Sequence, residues 1–450
     1  MAPGVTRAPR PSLSTLTIAR ELRRDPLALL ERVTAECGDI GAFRLGPRRM
    51  VLLNSPALVR EIYVEHPEDF DRSSYQRRAL TPLLGRGLLT SEGALHARQR
   101  QMIAPAFHAR HIAPWAERMA EIAHRLQAEW PAGAEIDLLS EMNRLTMSIV
   151  GQLLLSSGVL REGDLGRAVT TAFAWEMYAL TRPLPLPLSV PTPRSLRTRR
   201  ALHTIRSQLG TIIERRLTSG QRPDDLLSLL LDVRDETDAA MEPRQLYDEI
   251  VTLCGAAQET SADAITWALY LLGRHPDVAR QVRDEVDAVL GERVLTHADL
   301  PELPRSLAVF KETLRLYPPA SVILRGALRD TTLGGYRVRR GTIALVSPYL
   351  LHRREAVFPD PERFDPNRFT RENERALPKF AFLPFGAGHH VCVGGGLSLM
   401  EGQVLVATLA QRSQLEFADA TVAHELVVNL RPAAPIRVRV HRRSAQTVAG

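Results

Sequence analysis

Apolar residues recur in two kinds of spacing along this 450-residue chain. A helical spacing covers about Pro26 to Cys37. Two alternating stretches follow, Gly41 to Leu45 and Met50 to Leu53, joined by the turn-forming Gly46-Pro47, and they predict a small opening sheet. From Pro56 to about Leu290 the spacing is helical, broken at Arg72 to Glu92 and at Arg182 to Pro193. The second break holds Pro183, Pro185, Pro187, Pro191 and Pro193 among leucines, which no regular helix accommodates, so it reads as an exposed or lid-like connection. A helix runs on from Pro304 through Leu316 and stops at Pro318-Pro319. Short strands punctuated by Gly334-Gly335 and Gly341 come next, then proline-rich coil from Phe358 to Phe369 and a helix from about Gly395 to Gln411. Near the end Ile436, Val438 and Val440 alternate with Arg437, Arg439 and His441, the period of a half-buried strand. No repeat, low-complexity linker or composition break divides the chain. It reads as one mainly α domain with small β-sheets over residues 25–443, between a flexible segment, 1–24, and a tail, 444–450.

Composition narrows the picture. Hydrophobic residues make up 44%, enough for a large core, and only three cysteines, Cys37, Cys254 and Cys392, are present with no close pair. That argues against a disulfide framework or a C-x-x-C zinc site and favours a reducing, cytoplasmic setting. The first seventeen residues carry no apolar run suited to a signal peptide or a membrane span. Net charge is +7, and all but Lys311 and Lys379 of the 58 basic residues are arginine. Aromatics at 5%, never interleaved with basic runs, give nucleic-acid stacking little support; most arginines read as solvated helix faces.

The strongest chemical signal is the run Phe385-Gly386-Ala387-Gly388-His389-His390-Val391-Cys392-Val393-Gly394. Here a glycine-studded loop delivers one thiol to the start of a helix. Glycines let backbone N–H groups approach the sulfur, and a helix beginning near Val393 adds its positive end, so a deprotonated thiolate is favoured. The arrangement reads as an axial ligand for haem iron, against the plain alternative of a small buried hydrophobe. Glu312 and Arg315 share a helix face three residues apart, 77 residues before the cysteine, and Pro361-Glu362-Arg363-Phe364 lies between. In the helix spanning about Leu246 to Leu272, Ala256, Ala257 and Thr260 set two small side chains and a hydroxyl along adjoining parts of one face, leaving room for dioxygen and a group that can hold a water. His96 and Arg100, four apart, also share a face.

Together these stretches resemble the cytochrome P-450 superfamily of haem-thiolate monooxygenases, over about Gly41 to Val440. The resemblance implies that fold, a single haem-centred domain of the soluble bacterial type, haem b as cofactor, and Cys392 as iron ligand, with Phe385 and Gly394 shaping its loop. It implies Glu312 and Arg315 as a structural ion pair completed by Arg363. Thr260 and Glu259 would manage water and protons beside the oxygen groove at Ala256. Ala257 replaces the usual glycine there, narrowing the groove by a methyl. His96, Arg100, Arg325 and His390 take the places that hold haem propionates, with His96 where tryptophan is common and His390 where arginine is common. Val322, Ile323 and Leu324 would line the substrate pocket. Three scattered cysteines cannot hold a cluster, so electrons would come from a ferredoxin or flavodoxin with its reductase, docking near Arg98. The implied reaction inserts one atom of dioxygen into a lipophilic molecule, a terpenoid, fatty acyl chain, steroid or polyketide, in specialised metabolism. Peroxide-driven or non-hydroxylating chemistry and a non-catalytic haem sensor stay open, as does a zinc or copper reading of His389-His390, which lacks a second ligand pair.

Overall fold

The computed structural model describes residues 6–156, 164–181, 186–418 and 421–443. Helices dominate, as the spacing of apolar residues predicts, and several elements fall on the expected bounds. The helix Pro26–Cys37 starts on a proline, and Asp25 accepts from the N–H groups of Leu27 and Ala28 at 3.1 and 3.0 Å. The helix Pro304–Leu316 ends before Pro318-Pro319.

The opening hairpin, Ile40–Leu45 with Arg48–Leu53, belongs to a five-stranded sheet. Arg48–Leu53 pairs in parallel with Ile343–Val346, which pairs antiparallel with Ile323–Ala327, and that strand with Phe70–Arg72. Arg72 stands opposite Arg325 in the last pairing, a register that matters below. The strand Arg437–Arg442 joins Glu135–Asp137 and Ser413–Phe417 in a second sheet, with Val438 and Val440 buried between exposed arginines.

At the centre runs a 32-residue helix, Pro243–Arg274, about 48 Å long at 1.5 Å per residue. This site helix packs against Leu138–Leu155, Pro304–Leu316 and Gly395–Arg412, and is buried over most of its length from Leu246 to Leu272. Gly395–Arg412, the cysteine helix, lies so close to Pro304–Leu316 that a Cβ on Gly402 would come within 2.2 Å of the Phe310 ring.

Two expectations change. The segment 1–24 is structured where it is described: Thr15–Arg24 is a helix, capped by Ser14 accepting from Thr17 N–H at 3.1 Å, with Ile18 buried against Leu27 and Leu30. One buried position in two turns is too weak a pattern to register. The break at Arg72 to Glu92 contains the helix Ser74–Leu84, whose Ala79, Leu80, Leu83 and Leu84 face inward; Pro82 inside it disguised the period. Of the proline-rich connection, 182–185 lie outside the described residues; 186–192 are irregular, and a helix resumes at Pro193, continuing to Ser219. The tail 444–450 also lies outside the described residues. Among the described residues no helix is long and apolar enough to cross a membrane.

Candidate active site

The loop before the cysteine helix is tied at both ends. Cys392 N–H donates to Phe385 O at 2.9 Å, and Val391 N–H to Gly388 O at 3.0 Å. Gly386 and Gly388 take φ of 71° and 69°, where a side chain strains the backbone, and a Cβ on Gly388 would lie 3.0 Å from Tyr63 O. A Cβ on Gly395 would lie 3.3 Å from the Phe385 ring, and one on Gly394 3.7 Å from that of Phe107. Cys392 is exposed although protein surrounds it on most sides. Burial among those atoms pushes the thiol up, and the Gly394 N–H, Arg100 and Arg72 oppose that by favouring the thiolate.

Ala256 is likewise exposed, although the five residues before it on the site helix are buried. One turn on, the Thr260 hydroxyl donates to Ala256 O at 2.7 Å. Ala257 packs on the main core instead, so its extra methyl points away from that exposed patch. Glu259 is largely surrounded by protein, which pushes its carboxyl up, while Arg431 pulls it down. The site helix is locked to the cysteine helix by the Ser261 hydroxyl donating to Glu401 at 2.7 Å, with the Glu401 carboxyl pushed up to about 7 by burial.

His96, Arg100, Arg325 and His390, far apart in sequence, do converge. His390 Nδ1 lies 3.1 Å from His96 Nε2, and Arg100 Nη1 donates to Val391 O at 2.7 Å. Arg325 sits over the Tyr63 ring at 5.1 Å. Sequence reasoning missed Arg72, which joins them because its strand pairs with that of Arg325. Arg72 Nε donates to His390 Nδ1 at 3.3 Å, and its backbone N–H to Glu92 at 2.9 Å. A guanidinium can only donate, so His390 Nδ1 is the acceptor and His96 Nε2 carries a proton toward it. Burial, then Arg72 and its neighbours, hold both imidazoles neutral, His96 down to about 4 and His390 lower still. Arg72 itself is lowered to about 10 by burial and by Arg325.

Asp71, Glu92 and His390 stand close enough together to suggest a metal site. Three guanidiniums among them make it hostile to a cation and suited to carboxylates. Buried guanidiniums that repel one another beside an accessible thiol fit a porphyrin bearing two propionates.

Behind the loop, Glu312 and Arg315 are fully buried and paired through two hydrogen bonds of 2.7 and 2.8 Å. The third member is not the Arg363 guanidinium. Arg363 contributes its carbonyl, accepting from Arg315 at 3.1 Å, and is itself exposed; Arg368 approaches Glu312 at 3.6 Å. Pro361-Glu362-Arg363-Phe364 and Pro366-Asn367-Arg368-Phe369 are near copies five residues apart, and only the turn of the chain decides which arginine faces inward. His352, also missed, spans the gap: its Nε2 accepts from Leu383 N–H at 2.8 Å, leaving Nδ1–H for Arg315 O at 3.2 Å.

Val322, Ile323 and Leu324 are partly exposed but do not form one wall. Val322 and Leu324 pack with the cluster around Leu27 and Tyr349, whereas Ile323 packs with that around Tyr63 and would meet a Cβ on Gly386 at 3.5 Å. Arg98 is engaged by Asp235 at 2.7 Å, which neutralises part of the charge expected for docking.

The cytochrome P450 family model matches residues 8–429. Among curated proteins, the chain is 36% identical to cyclooctat-9-en-7-ol 5-monooxygenase of Streptomyces melanosporofaciens, over 89% of this chain and 87% of that one. It is 34% identical to cyclooctatin synthase of the same organism, over 87% and 86%. It is 30% identical to pentalenene oxygenase of Streptomyces avermitilis, over 87% of each.

Proposed function

The chain belongs to the cytochrome P450 family of oxygen-incorporating haem-thiolate enzymes, and from that premise we propose that it oxygenates a terpenoid, with Cys392 as the iron ligand of haem b. The observation that carries the reading is the accessible Cys392 thiol, backed by the Gly394 N–H and flanked by the half-buried guanidiniums of Arg100 and Arg72. Bound there, the haem supplies dioxygen activation and transfer of one oxygen atom to the substrate.

Everything else is the work of this chain. The Gly394 N–H and the start of the cysteine helix favour the anionic sulfur that iron would hold, against the burial that opposes it. Arg72, Arg100 and Arg325 receive the propionates, and His96 and His390, bonded to each other and through His390 to Arg72, hold that arginine in place. Phe385 covers the loop, and Ala256 leaves space beside the helix. The Thr260 hydroxyl, its proton donated to Ala256 O, accepts a hydrogen bond from water and so holds the water network, and Glu259 brings protons in. Ile323, Val322 and Leu324 contribute apolar surface at the pocket margin. Three relatives whose names specify terpenoid chemistry support that substrate class over fatty acyl, steroid or polyketide alternatives. Electrons arrive from a cytoplasmic ferredoxin or flavodoxin and its reductase.

Two measurements test this. The reduced, carbon-monoxide-bound protein should give a thiolate spectrum that Cys392→Ser abolishes; a colourless protein, or an unchanged spectrum in the variant, refutes the ligation. Cyclic terpene hydrocarbons and alcohols should displace water from the ferric iron and yield oxygenated products with surrogate redox partners. Binding confined to fatty acids or steroids would overturn the substrate class.

A further inference from the structure

Glu259, Asp263 and Trp267 succeed one another at four-residue intervals, so one stripe of the site helix carries two carboxyls and an indole. That stripe is covered by the hairpin His424–Leu426 and Leu430–Pro432. The hairpin is held firmly. Trp267 Nε1 donates to Leu430 O at 3.1 Å, Leu430 N–H donates to Pro319 O at 3.1 Å, and the Trp267 ring stacks on Tyr317 at 4.0 Å. So anchored, the hairpin brings the Asn429 side chain, itself 9% exposed, into a hydrogen bond with the Asp263 carboxyl, and sets the Arg431 charge near both Asp263 and Glu259. Arg431 faces solvent on its other side, where Glu425 accepts from it at 2.8–2.9 Å.

Asp263 is only 5% exposed and its hydrogen bond from Asn429 is neutral, an expensive setting for an acid with no structural partner of full charge. A threonine or asparagine would pack there at less cost. Burial and the neighbouring Glu259 push its carboxyl up to about 8, so near neutral pH it holds a proton it can release. Arg431 works in the opposite sense on both acids. Glu401, bound by Ser261, belongs to the cysteine-helix side and is the acid of a separate contact.

We propose that Asp263 is the proton reservoir for Glu259, and that the Asn429–Arg431 arm of the hairpin is the door through which solvent refills it. This rests on the proton role proposed above for Glu259 and Thr260. Each transfer is balanced: the Asp263 acid gives its proton to the Glu259 carboxylate, and the Asp263 carboxylate takes one from water at the Arg431 side. Nothing is oxidised or reduced. Arg431 stabilises whichever carboxylate is ionised; Asp263 is a positioning residue acting through Glu259.

The test uses holoenzyme carrying Asp263→Asn, Asp263→Glu, Arg431→Gln or Glu259→Gln. In the resting ferric protein, wild type should show the infrared band of a protonated buried carboxyl that titrates near neutral pH and disappears in Asp263→Asn. During turnover Asp263→Asn should keep the thiolate spectrum and substrate affinity but lose about tenfold in product per electron, less than the hundredfold or more of a direct proton donor, because water replaces a remote one. Its solvent deuterium isotope effect should rise, and Asp263→Glu should restore both. Arg431→Gln, at an exposed position, should move the alkaline limit of coupling to higher pH, since the charge lowering both acids is gone. Coupling and isotope effect unchanged in Asp263→Asn while Glu259→Gln uncouples would sink the relay and leave the reading of Glu259 intact. Both variants behaving as wild type would sink that reading too. An unmoved pH limit in Arg431→Gln overturns the role of the arm.

Discussion

Arg72 shows how much one side chain owes to its strand register. Opposite Arg325 and in contact with His390, it carries a charge in a crowded, mostly buried position that burial already weakens. A charge-assisted hydrogen bond contributes about 1.5–3 kcal/mol, so Arg72→Gln should speed haem loss roughly ten- to hundredfold. Transfer of haem to apomyoglobin measures it; the thiolate spectrum of the remaining holoprotein should not change. Thr260 acts by its hydroxyl alone. Thr260→Ala should bind haem normally but divert reducing equivalents to peroxide or water, with product per electron falling about tenfold or more, whereas Thr260→Ser should retain most coupling. Tight coupling in the alanine variant would count against the role.

Between elements, the buried Glu312–Arg315 pair joins the helix Pro304–Leu316 to the coil leading to the cysteine loop, and His352 extends that link to Leu383. Removing a partner from a buried ion pair costs about 3–5 kcal/mol because the remaining charge has no water to turn to. Arg368 is the outer guanidinium of this cluster and Arg363 offers only a carbonyl, so Arg368→Ala should lower the unfolding midpoint well beyond Arg363→Ala. Equal effects in thermal melts would refute the assignment. Ser261 with Glu401 is the matching tie between the site helix and the cysteine helix, and it keeps Thr260 in a fixed relation to the loop.

At the scale of the molecule, burial raises the Glu401 carboxyl to about 7 and those of Glu249 and Asp263 to about 8. The folded protein therefore retains protons that the unfolded chain releases above its ordinary carboxylate value, 4.5 for glutamate and 3.8 for aspartate. Their stabilising effect is complete below that value and is lost as pH rises through about 7–8. Glu401→Gln, which imitates the protonated acid, should match wild type near pH 5 and exceed it by about 2–3 kcal/mol at pH 8, at 1.36 kcal/mol for each pKa unit. Denaturant unfolding at the two pH values checks this; a variant less stable at pH 8 would show that the ionised form is the one the fold prefers.

The sequence by itself determined whatever depends on neighbours a few residues apart. Helical and alternating spacings located the site helix, the helix Pro304–Leu316 and the opening hairpin, because such periods state which face of an element is buried. The cysteine loop was legible for a related reason: positive φ at Gly386 and Gly388 and close backbone approach demand glycine whatever surrounds them. Tertiary structure alone decided what depends on contacts across hundreds of residues. It brought Arg72 beside His390, chose Arg368 over its near copy Arg363, split Ile323 from Val322 and Leu324, and laid the Asn429–Arg431 arm over Asp263. Local sequence is blind to these because arginines in a chain with 58 basic residues look alike until strand pairing and a turn of coil determine which are desolvated and beside which acid.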